Sequence, residues 1–378
     1  MKIVVEQSAL VAATARVASV VEARNTIAIL SNLLIDATPD GEVWLTATDL
    51  DIEIRARMDA KVEADGQVCV GASSLSEIAR NAPKGAEVSL VHDTAKDPRL
   101  QVRFGKSRYQ LPVLPAEDFP VFGERIDDTA MSVPAGELAG LLSRTHFAQS
   151  TETTRYYLNG TALQIVAVDG VAMLRTIATD GHRLALDECP APEGASMAAI
   201  IVPRKTVAEI RRLLDGLAAS VDVRTSPKGI TVRTDDVRLS SKVIDGHFPD
   251  YERVIPRRWA REIEIDRAVL TGAVKRVSLI SGDKARTVKF TLDDGVLALT
   301  VNNMETGTAR EEIEIVDDGA LFETGFNSKY VLDALGQSEG KSVVLRLPES
   351  GGDPGRLDPH PSDSAAAGAL CVLMPVRV

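Results

Sequence analysis

Between Asp51 and Met58 every second residue is apolar, with Ile52, Ile54, Ala56 and Met58 alternating with Glu53, Arg55 and Arg57. Glu262 to Asp266 and Glu311 to Val316 follow the same rule. Period two with one polar face predicts strands of antiparallel sheet. Asp40-Gly41, Asp65-Gly66, Asp169-Gly170, Lys228-Gly229 and Asp294-Gly295 punctuate these strands as turns. Other stretches carry a helical period. Val207, Ile210, Leu213, Leu214 and Leu217 share one face at ~100° per residue, and Lys205, Ala208, Arg212 and Asp215 lie opposite. Pro203 stands where a first helical turn tolerates proline. Leu270, Ala273, Val277 and Ile280 form a second apolar face, with Lys275 roughly opposite. Helices are predicted over 8–23, 74–81, 134–150, 203–219, 265–281 and 327–337.

The elements recur. Helix, strands with a Thr-Asp or Asn-Asn turn, helix and strands occur three times, at a spacing of about 120–130 residues. Thr48-Asp49 returns as Thr179-Asp180, and Asn302-Asn303 holds the place in a third copy. Phe119-Pro120 returns as Phe248-Pro249, and an amphipathic stretch opens each copy near Ser8, Pro134 and Asp266. Two helices and many strands per copy predict an α+β module with its helices on one sheet face. The modules span 1–123, 132–256 and 262–378, with linkers at 123–133 and 256–262. The stretch 349–368 is rich in Gly, Pro, Ser, Asp and Ala and predicts a disordered loop before the last strand.

Composition narrows the function. A chain of 378 residues suits two or three domains. An aromatic content of 4% argues against a surface of base-stacking platforms. The net charge of −11 opposes nucleic-acid binding by itself, yet it is unevenly spread. The six helical stretches carry 11 Lys and Arg against 7 Asp and Glu, and the remainder carries 32 against 47. A neutral to basic helical surface on an acidic protein is a patterned field. Cys69, Cys189 and Cys371 are far apart, without zinc or redox spacing. No run approaches the ~18 apolar residues of a membrane span, and the first residues lack a long apolar core. A soluble cytoplasmic protein without membrane contact is expected.

Catalytic readings find little. Asp180-Gly181-His182-Arg183 puts a His beside an Asp, but no nucleophile elbow or second acid–base group accompanies it. Gly105-Lys106-Ser107 resembles the end of a phosphate loop, but Leu100 occupies the place of its first glycine. The five histidines lack metal-ligand spacing, so no metal, cofactor or enzymatic activity is expected. Recognition signals remain: Arg155-Tyr156-Tyr157-Leu158-Asn159-Gly160, which also reads as a core edge strand, and the apolar ending Met374-Pro375-Val376-Arg377-Val378.

These residues resemble one family, the bacterial DNA polymerase III beta subunit, or sliding clamp. The resemblance rests on RYYLNG (155–160), ATDGHRLA (178–185), IVPRK (201–205), FPDYERV (248–254), GFNSKYVLD (325–333) and the terminal MPVRV, with Thr26 to Leu34 matching near the start. It runs in order over the whole chain. It implies a head-to-tail homodimer ring with three modules per chain, helices lining a central hole and sheets outside. Such a ring encircles double-stranded DNA and tethers the replicative polymerase for processive synthesis. Contacts to phosphates would be weak, sequence-independent and salt-sensitive, and retention topological. The implied partners are the DNA polymerase III alpha subunit, the clamp loader, and other polymerases and repair proteins, all inserting short linear motifs.

Carried over by position, the implied peptide pocket comprises Leu158, Thr179, Gly181, His182, Arg183, Leu184, Pro249, Arg253, Val254, Asn327, Tyr330, Val372, Met374, Pro375, Val376 and Arg377. The implied DNA contacts are Arg24, Arg80, Tyr156, Tyr157 and Lys205, with Arg204 and Arg212 added on charge. The implied subunit seam pairs Tyr109 and Leu111 with Leu279 and Ile280, while Lys106 and Arg108 face acidic residues of the third module. Some positions depart from the family's pattern. Glu252 precedes Arg253 where two basic residues are common, Ala285 replaces a frequent aromatic, and Val376 and Val378 replace Met and Leu. Ala72-Ser73-Ser74 stands where the second copy has Pro203-Arg204-Lys205, so the first copy should touch DNA less there. A dimeric peptide-binding scaffold that keeps the fold without encircling DNA is the alternative, and an enzyme working at the 180–183 turn is a third reading.

Overall fold

The computed structural model describes every residue except 23–25, 94–96, 121, 123–128, 283–285, 318, 362–367 and 378. The first repeat runs β1 (Lys2–Glu6), α1 (Gln7–Ala18), β2 (Asn32–Ala37), β3 (Val43–Thr48), β4 (Ile52–Arg57), β5 (Ala60–Ala64) and β6 (Gly66–Gly71). It continues with α2 (Ala72–Asn81), β7 (Glu87–Asp93), β8 (Asp97–Phe104), β9 (Ser107–Leu111) and β10 (Val113–Leu114). The second repeat has β11 (Thr129–Pro134), α3 (Ala135–Thr145), β12 (Gly160–Val168), β13 (Val171–Thr179), β14 (Arg183–Pro190) and β15 (Ile200–Pro203). Then come α4 (Arg204–Leu214), β16 (Ser220–Ser226), β17 (Gly229–Arg233) and β18 (Val237–Lys242). The third repeat has β19 (Arg261–Asp266), α5 (Arg267–Val277), β20 (Thr287–Asp293), β21 (Val296–Asn303), β22 (Gly307–Glu314) and β23 (Phe322–Asn327). It closes with α6 (Ser328–Gln337), β24 (Ser342–Leu347), β25 (Gly355–Pro359) and β26 (Leu370–Leu373).

All six expected helices are present, shorter than the apolar periods by a turn in places. Pro203 is the last residue of β15, one position before α4, so its missing N–H breaks no helical bond. Asp266 and Asn327 cap α5 and α6 by accepting from the Val269 and Lys329 amides. The apolar stripes are buried: Leu10, Ala13 and Val17 on α1, and Leu270, Ala273, Val274 and Val277 on α5. Truncating one such leucine to alanine should cost about 2–5 kcal/mol. In the third repeat Phe290 and Phe326 meet edge to face at 5.3 Å in the core centre.

The recurring Thr-Asp pair has a mechanical reason. Thr48 Oγ1 accepts from the Leu50 amide at 3.0 Å, and Asp49 Oδ1 accepts from the Asp51 and Ile52 amides. Thr179 and Asp180 bind the Gly181, His182 and Arg183 amides in the same way. In the third copy Asn303 Oδ1 accepts from the Glu305 amide at 2.9 Å. Short polar side chains close each turn by mimicking backbone. Gly181 has φ +87°, a backbone conformation in which an L side chain is strained, so glycine is favoured there.

All the sheets are antiparallel. Their orders are β5-β1-β7-β8-β9, β10-β6-β2-β3-β4-β18-β17-β16-β11, β15-β12-β13-β14-β26-β25-β24-β19 and β22-β21-β20-β23. Two compact units result, 1–135 with 208–243 and 136–207 with 244–378. The second repeat is thus shared between them. The joints are alike: β4 of the first repeat pairs with β18 of the second, and β14 of the second with β26 of the third.

The expectation of a disordered 349–368 loop is corrected. Gly355–Pro359 forms β25 and pairs with both β24 and β26. Leu357 supplies a buried apolar anchor, and the buried Asp358 accepts from Arg356 at 2.8 Å and also from Arg346. Composition misled because the strand's polar residues are satisfied by one another. Residues 362–367 of that stretch lie outside the described residues.

Candidate functional site

The pocket residues expected from the sequence fall on five segments of one unit, with Leu158 alone on the 156–158 turn. The 179–183 turn leads into β14, whose Leu184 pairs with Val372 of β26. The chain after β26 is hung on that turn, because the Met374 amide donates to the His182 carbonyl at 3.0 Å. Further along, the Val376 amide donates to the Gly325 carbonyl at 2.8 Å. Leu184 and Val372 are buried in a cluster with Phe248, Tyr251 and Ile255 packed against it, which brings the 248–255 segment in. The His182 and Tyr330 rings stack with centroids 6.4 Å apart, bringing α6 alongside.

Burial divides these residues into two sets. Leu158, Thr179, Arg183, Leu184 and Val372 are buried and form a frame, not an open wall. Gly181, His182, Pro249, Arg253, Val254, Met374, Val376 and Arg377 are exposed, while Asn327, Tyr330 and Pro375 are half-buried. Arg183 is the tie among the elements. It donates to Asp180 at 3.1 Å, to Asp333 at 2.6 Å and to the Phe147 carbonyl at 2.6 Å. Its guanidinium also lies 4.4 Å from the Tyr330 ring centre. Burial and nearby Asp180 push the Tyr330 hydroxyl pKa up, so it stays a neutral donor. Val378 and Ala285 lie outside the described residues. The surface that results is apolar at Met374, Val376 and Val254, with carbonyls, an imidazole and guanidinium groups at its edges. It can hold large apolar side chains of an extended peptide while fixing its backbone.

Among the residues expected to meet DNA, Arg80, Arg204 and Lys205 are exposed on helices. Tyr156 is exposed and meets half-buried Tyr157 edge to face at 5.9 Å, in a 3₁₀ turn and not the edge strand considered from sequence. Arg212 is largely engaged within the protein: it donates to Glu209 at 2.7 Å, to the Ala15 and Arg16 carbonyls and to Ser19. Arg212 therefore clasps α1 to α4. Arg24 lies outside the described residues.

The seam residues lie on sheet edges and their surroundings. β9 is an edge strand with Arg108 and Tyr109 exposed and Leu111 half-buried, and Lys106 is exposed in the turn before it. β22 is the edge of the four-stranded sheet and presents Glu312 and Glu314 to solvent. Leu279 is 83% exposed, while Ile280 packs partly against the core. Sequence reasoning missed Met304. The Ile280 carbonyl accepts from Asn303 Nδ2 at 3.2 Å and from Thr306 Oγ1, so the turn holding fully exposed Met304 is fastened beside Leu279. A methionine within a polar turn was the available signal. Phe147 and Asp333 were also missed as supports of Arg183; they lie far from it in sequence, and only the fold shows them.

Among the described residues no catalytic constellation accompanies this geometry. His182 stacks on a tyrosine and its amide is held by Asp180. Burial pushes the Cys69, Cys189 and Cys371 thiols up to about 12, far from a thiolate nucleophile at neutral pH. Among the described residues no cluster of His, Cys, Asp or Glu could hold a metal, and no helix is long and apolar enough to cross a membrane.

Family models of the DNA polymerase III beta subunit match in series: the N-terminal domain over residues 1–123, the central domain over 132–250 and the C-terminal domain over 252–375. The chain belongs to the DNA polymerase III beta subunit family, the bacterial sliding clamps. It is 46% identical over 379 residues to the beta sliding clamp of Caulobacter vibrioides, with 100% of both chains covered. The solved structure of Caulobacter crescentus pol III beta superposes with a TM-score of 0.93 at 46% identity, covering 100% of each chain. A sliding clamp from Bartonella birtlesii, solved bound to griselimycin, gives a TM-score of 0.94 at 40% identity, again covering 100% of each chain. The α+β architecture of three clamp domains with antiparallel sheets is the one these relatives have. The protein is thus a sliding clamp of DNA replication, a processivity factor of DNA polymerase III and not an enzyme. Clamp identity implies DNA and polymerase as partners.

Proposed function

We propose that two copies of this clamp close head to tail into a ring that encircles duplex DNA. One observation carries the reading. Each internal joint pairs the third strand after a repeat's first helix with the last long strand of a neighbouring repeat's second half, β4 with β18 and β14 with β26. The strands in the same positions without such a partner are β22 and β9, and both are sheet edges. A second copy supplies the missing match, making a heterologous contact that closes. Lys106 and Arg108 would then face Glu312 and Glu314, with Tyr109 and Leu111 against Leu279, Ile280 and Met304.

In this reading the modules are 1–123, 132–256 and 262–378, and their helices line the hole. Arg80, Tyr156, Tyr157, Arg204 and Lys205 meet phosphates without reading sequence, joined by Arg24 and, less directly, Arg212. The surface of His182, Pro249, Arg253, Val254, Asn327, Tyr330 and Met374 to Arg377, over its buried frame, receives short linear motifs. The partners are the polymerase alpha subunit, the clamp loader, and other polymerases and repair proteins. The location is the cytoplasm, where a bacterial chromosome is copied. Negative-stain electron microscopy of the purified protein tests the geometry. A two-chain ring with a hole wide enough for duplex DNA is expected; a solid or open particle would overturn it.

A further inference from the structure

Between α1 and α4 lies a cavity of ≈ 290 Å³, floored by Ile54 of β4 and Leu239 of β18. It adjoins a hollow of ≈ 190 Å³ that shares Arg16, Leu213, Leu217 and Val237 with it. The internal repeat shows that the fold does not require this void. At the equivalent joint of the second and third repeats, Arg144, Gln337, Ala369 and Cys371 take the places of Arg16, Leu213, Val237 and Leu239, and only ≈ 20 Å³ is open. Phe147 lines that crevice, while Ser19 holds the matching position after α1. Arg144 folds onto the buried Asp187 at 2.6 Å and onto Glu339 at 2.8 Å. The counterpart of Asp187 on β4 is Ala56, so Arg16 has no such anchor and stays at the cavity wall.

The rim is charged unevenly. Glu209 and Arg212 satisfy each other at 2.7 Å. Among the described residues Asp215, Asp235 and Asp236 make no ion pair, and Arg16 is the one cation left to oppose them around the cavity and its adjoining hollow. We propose that this crevice binds a short segment of a partner protein that presents an aromatic or branched side chain next to a lysine or arginine. The apolar side chain would enter between Leu213, Leu217 and Val237, in a volume near the lower end of those that hold small ligands. The basic residue would reach Asp235 and Asp236, whose charge complements it. The site is separate from the surface at Met374, and the proposal stands whether or not the ring closes.

The test is methyl NMR of the full-length protein, labelled at Ile, Leu and Val, titrated with N-acetyl-Trp-Lys-amide and with N-acetyl-Trp-Glu-amide. Saturable shifts of the Leu213, Leu217 and Val237 methyls are expected, with the lysine peptide about threefold tighter, as partly exposed ion pairs provide. Asp235→Asn with Asp236→Asn should make the two peptides equal. Leu213→Gln, which copies the closed joint, should abolish the shifts while the other methyls stay in place. Leu213→Trp fills the cavity from the helix side and should do the same if the glutamine variant misfolds. No shift at millimolar peptide, or shifts confined to the methyls around Val372, would overturn the site. Equal binding of both peptides by the unaltered protein, or of indole as tightly as the lysine peptide, would overturn the basic-segment occupant.

Discussion

Arg183 donates through Nη1 to Asp333 Oδ2 at 2.6 Å, joining the 180–183 turn to α6 across 150 residues of sequence. The guanidinium is buried and also binds Asp180 and the Phe147 carbonyl. Arg183→Ala would leave two carboxylates facing each other without a cation. The expected loss is about 2–4 kcal/mol, below the full cost of a buried pair because Asp333 is partly solvated. Urea denaturation measures it, and a loss under about 0.5 kcal/mol, the size of an ordinary surface change, would show that Arg183 is not the tie.

The tail prediction follows from the bonds of Met374 and Val376 to the His182 and Gly325 carbonyls. Removing Met374 to Val378 leaves β26 intact, since that strand ends at Leu373. Stability should hardly change, while affinity for a polymerase-tail peptide should fall at least about tenfold, the equivalent of 1.4 kcal/mol. Calorimetric titration decides it. Unchanged affinity would take the tail out of the pocket.

How much of this was legible beforehand depends on how local each cause is. The Thr-Asp turns, the helix stripes and the strand alternation are set by neighbours within a few residues, so pattern reading found them. β25 was missed because part of what holds it lies outside the strand: Leu357 is covered by the third core, and Asp358 binds Arg346 of β24 as well as its strand neighbour Arg356. The pocket positions came from motif resemblance, but their division into buried frame and exposed rim did not. Arg183 and His182 are adjacent and polar, yet one is buried and the other is exposed, because Arg183 opens β14, whose first five residues are all buried, while His182 stays in the turn before it. Arg212 was read as a free cation on charge alone; its partners on α1 lie almost two hundred residues away.

At the seam, Leu279 is the cleaner probe. Ile280 packs partly against the core, so a charge there would also disturb folding. Leu279→Lys, at 83% exposure, should leave the monomer's stability within about 0.5 kcal/mol. It should still shift the particle towards one chain, as light scattering would show. Arg108→Glu should do likewise and make assembly less sensitive to salt. A fully dimeric Leu279→Lys protein would put the seam elsewhere.

Arg204 and Lys205 begin α4 and are exposed. Changing both to glutamine should weaken binding to short duplex DNA at low salt and reduce the slope of log affinity against log salt by about 0.9 for each phosphate no longer neutralised. Sequence preference should stay absent. A variant with an unchanged slope would remove these two from the DNA-facing set.

Acidity should act in two opposite steps. Burial raises the pKa of Asp187 above the ordinary carboxylate value, against the pull of Arg144, and burial raises that of Asp358 against Arg356 and Arg346. For such a group the folded chain holds a proton that the unfolded chain has released, so stability falls as pH rises through the folded pKa. Lowering the pH from neutral towards the ordinary carboxylate range should therefore stabilise the protein first. Glu63 and Glu311 have pKa values lowered by hydrogen bonds from Lys2 and Arg276, and whatever they contribute is lost only below that range. Asp187→Asn keeps an acceptor for Arg144 but cannot titrate. Its urea midpoint should rise less on mild acidification than that of the unaltered protein. Parallel curves for the two proteins above the ordinary carboxylate range would show that Asp187 is not the group responsible.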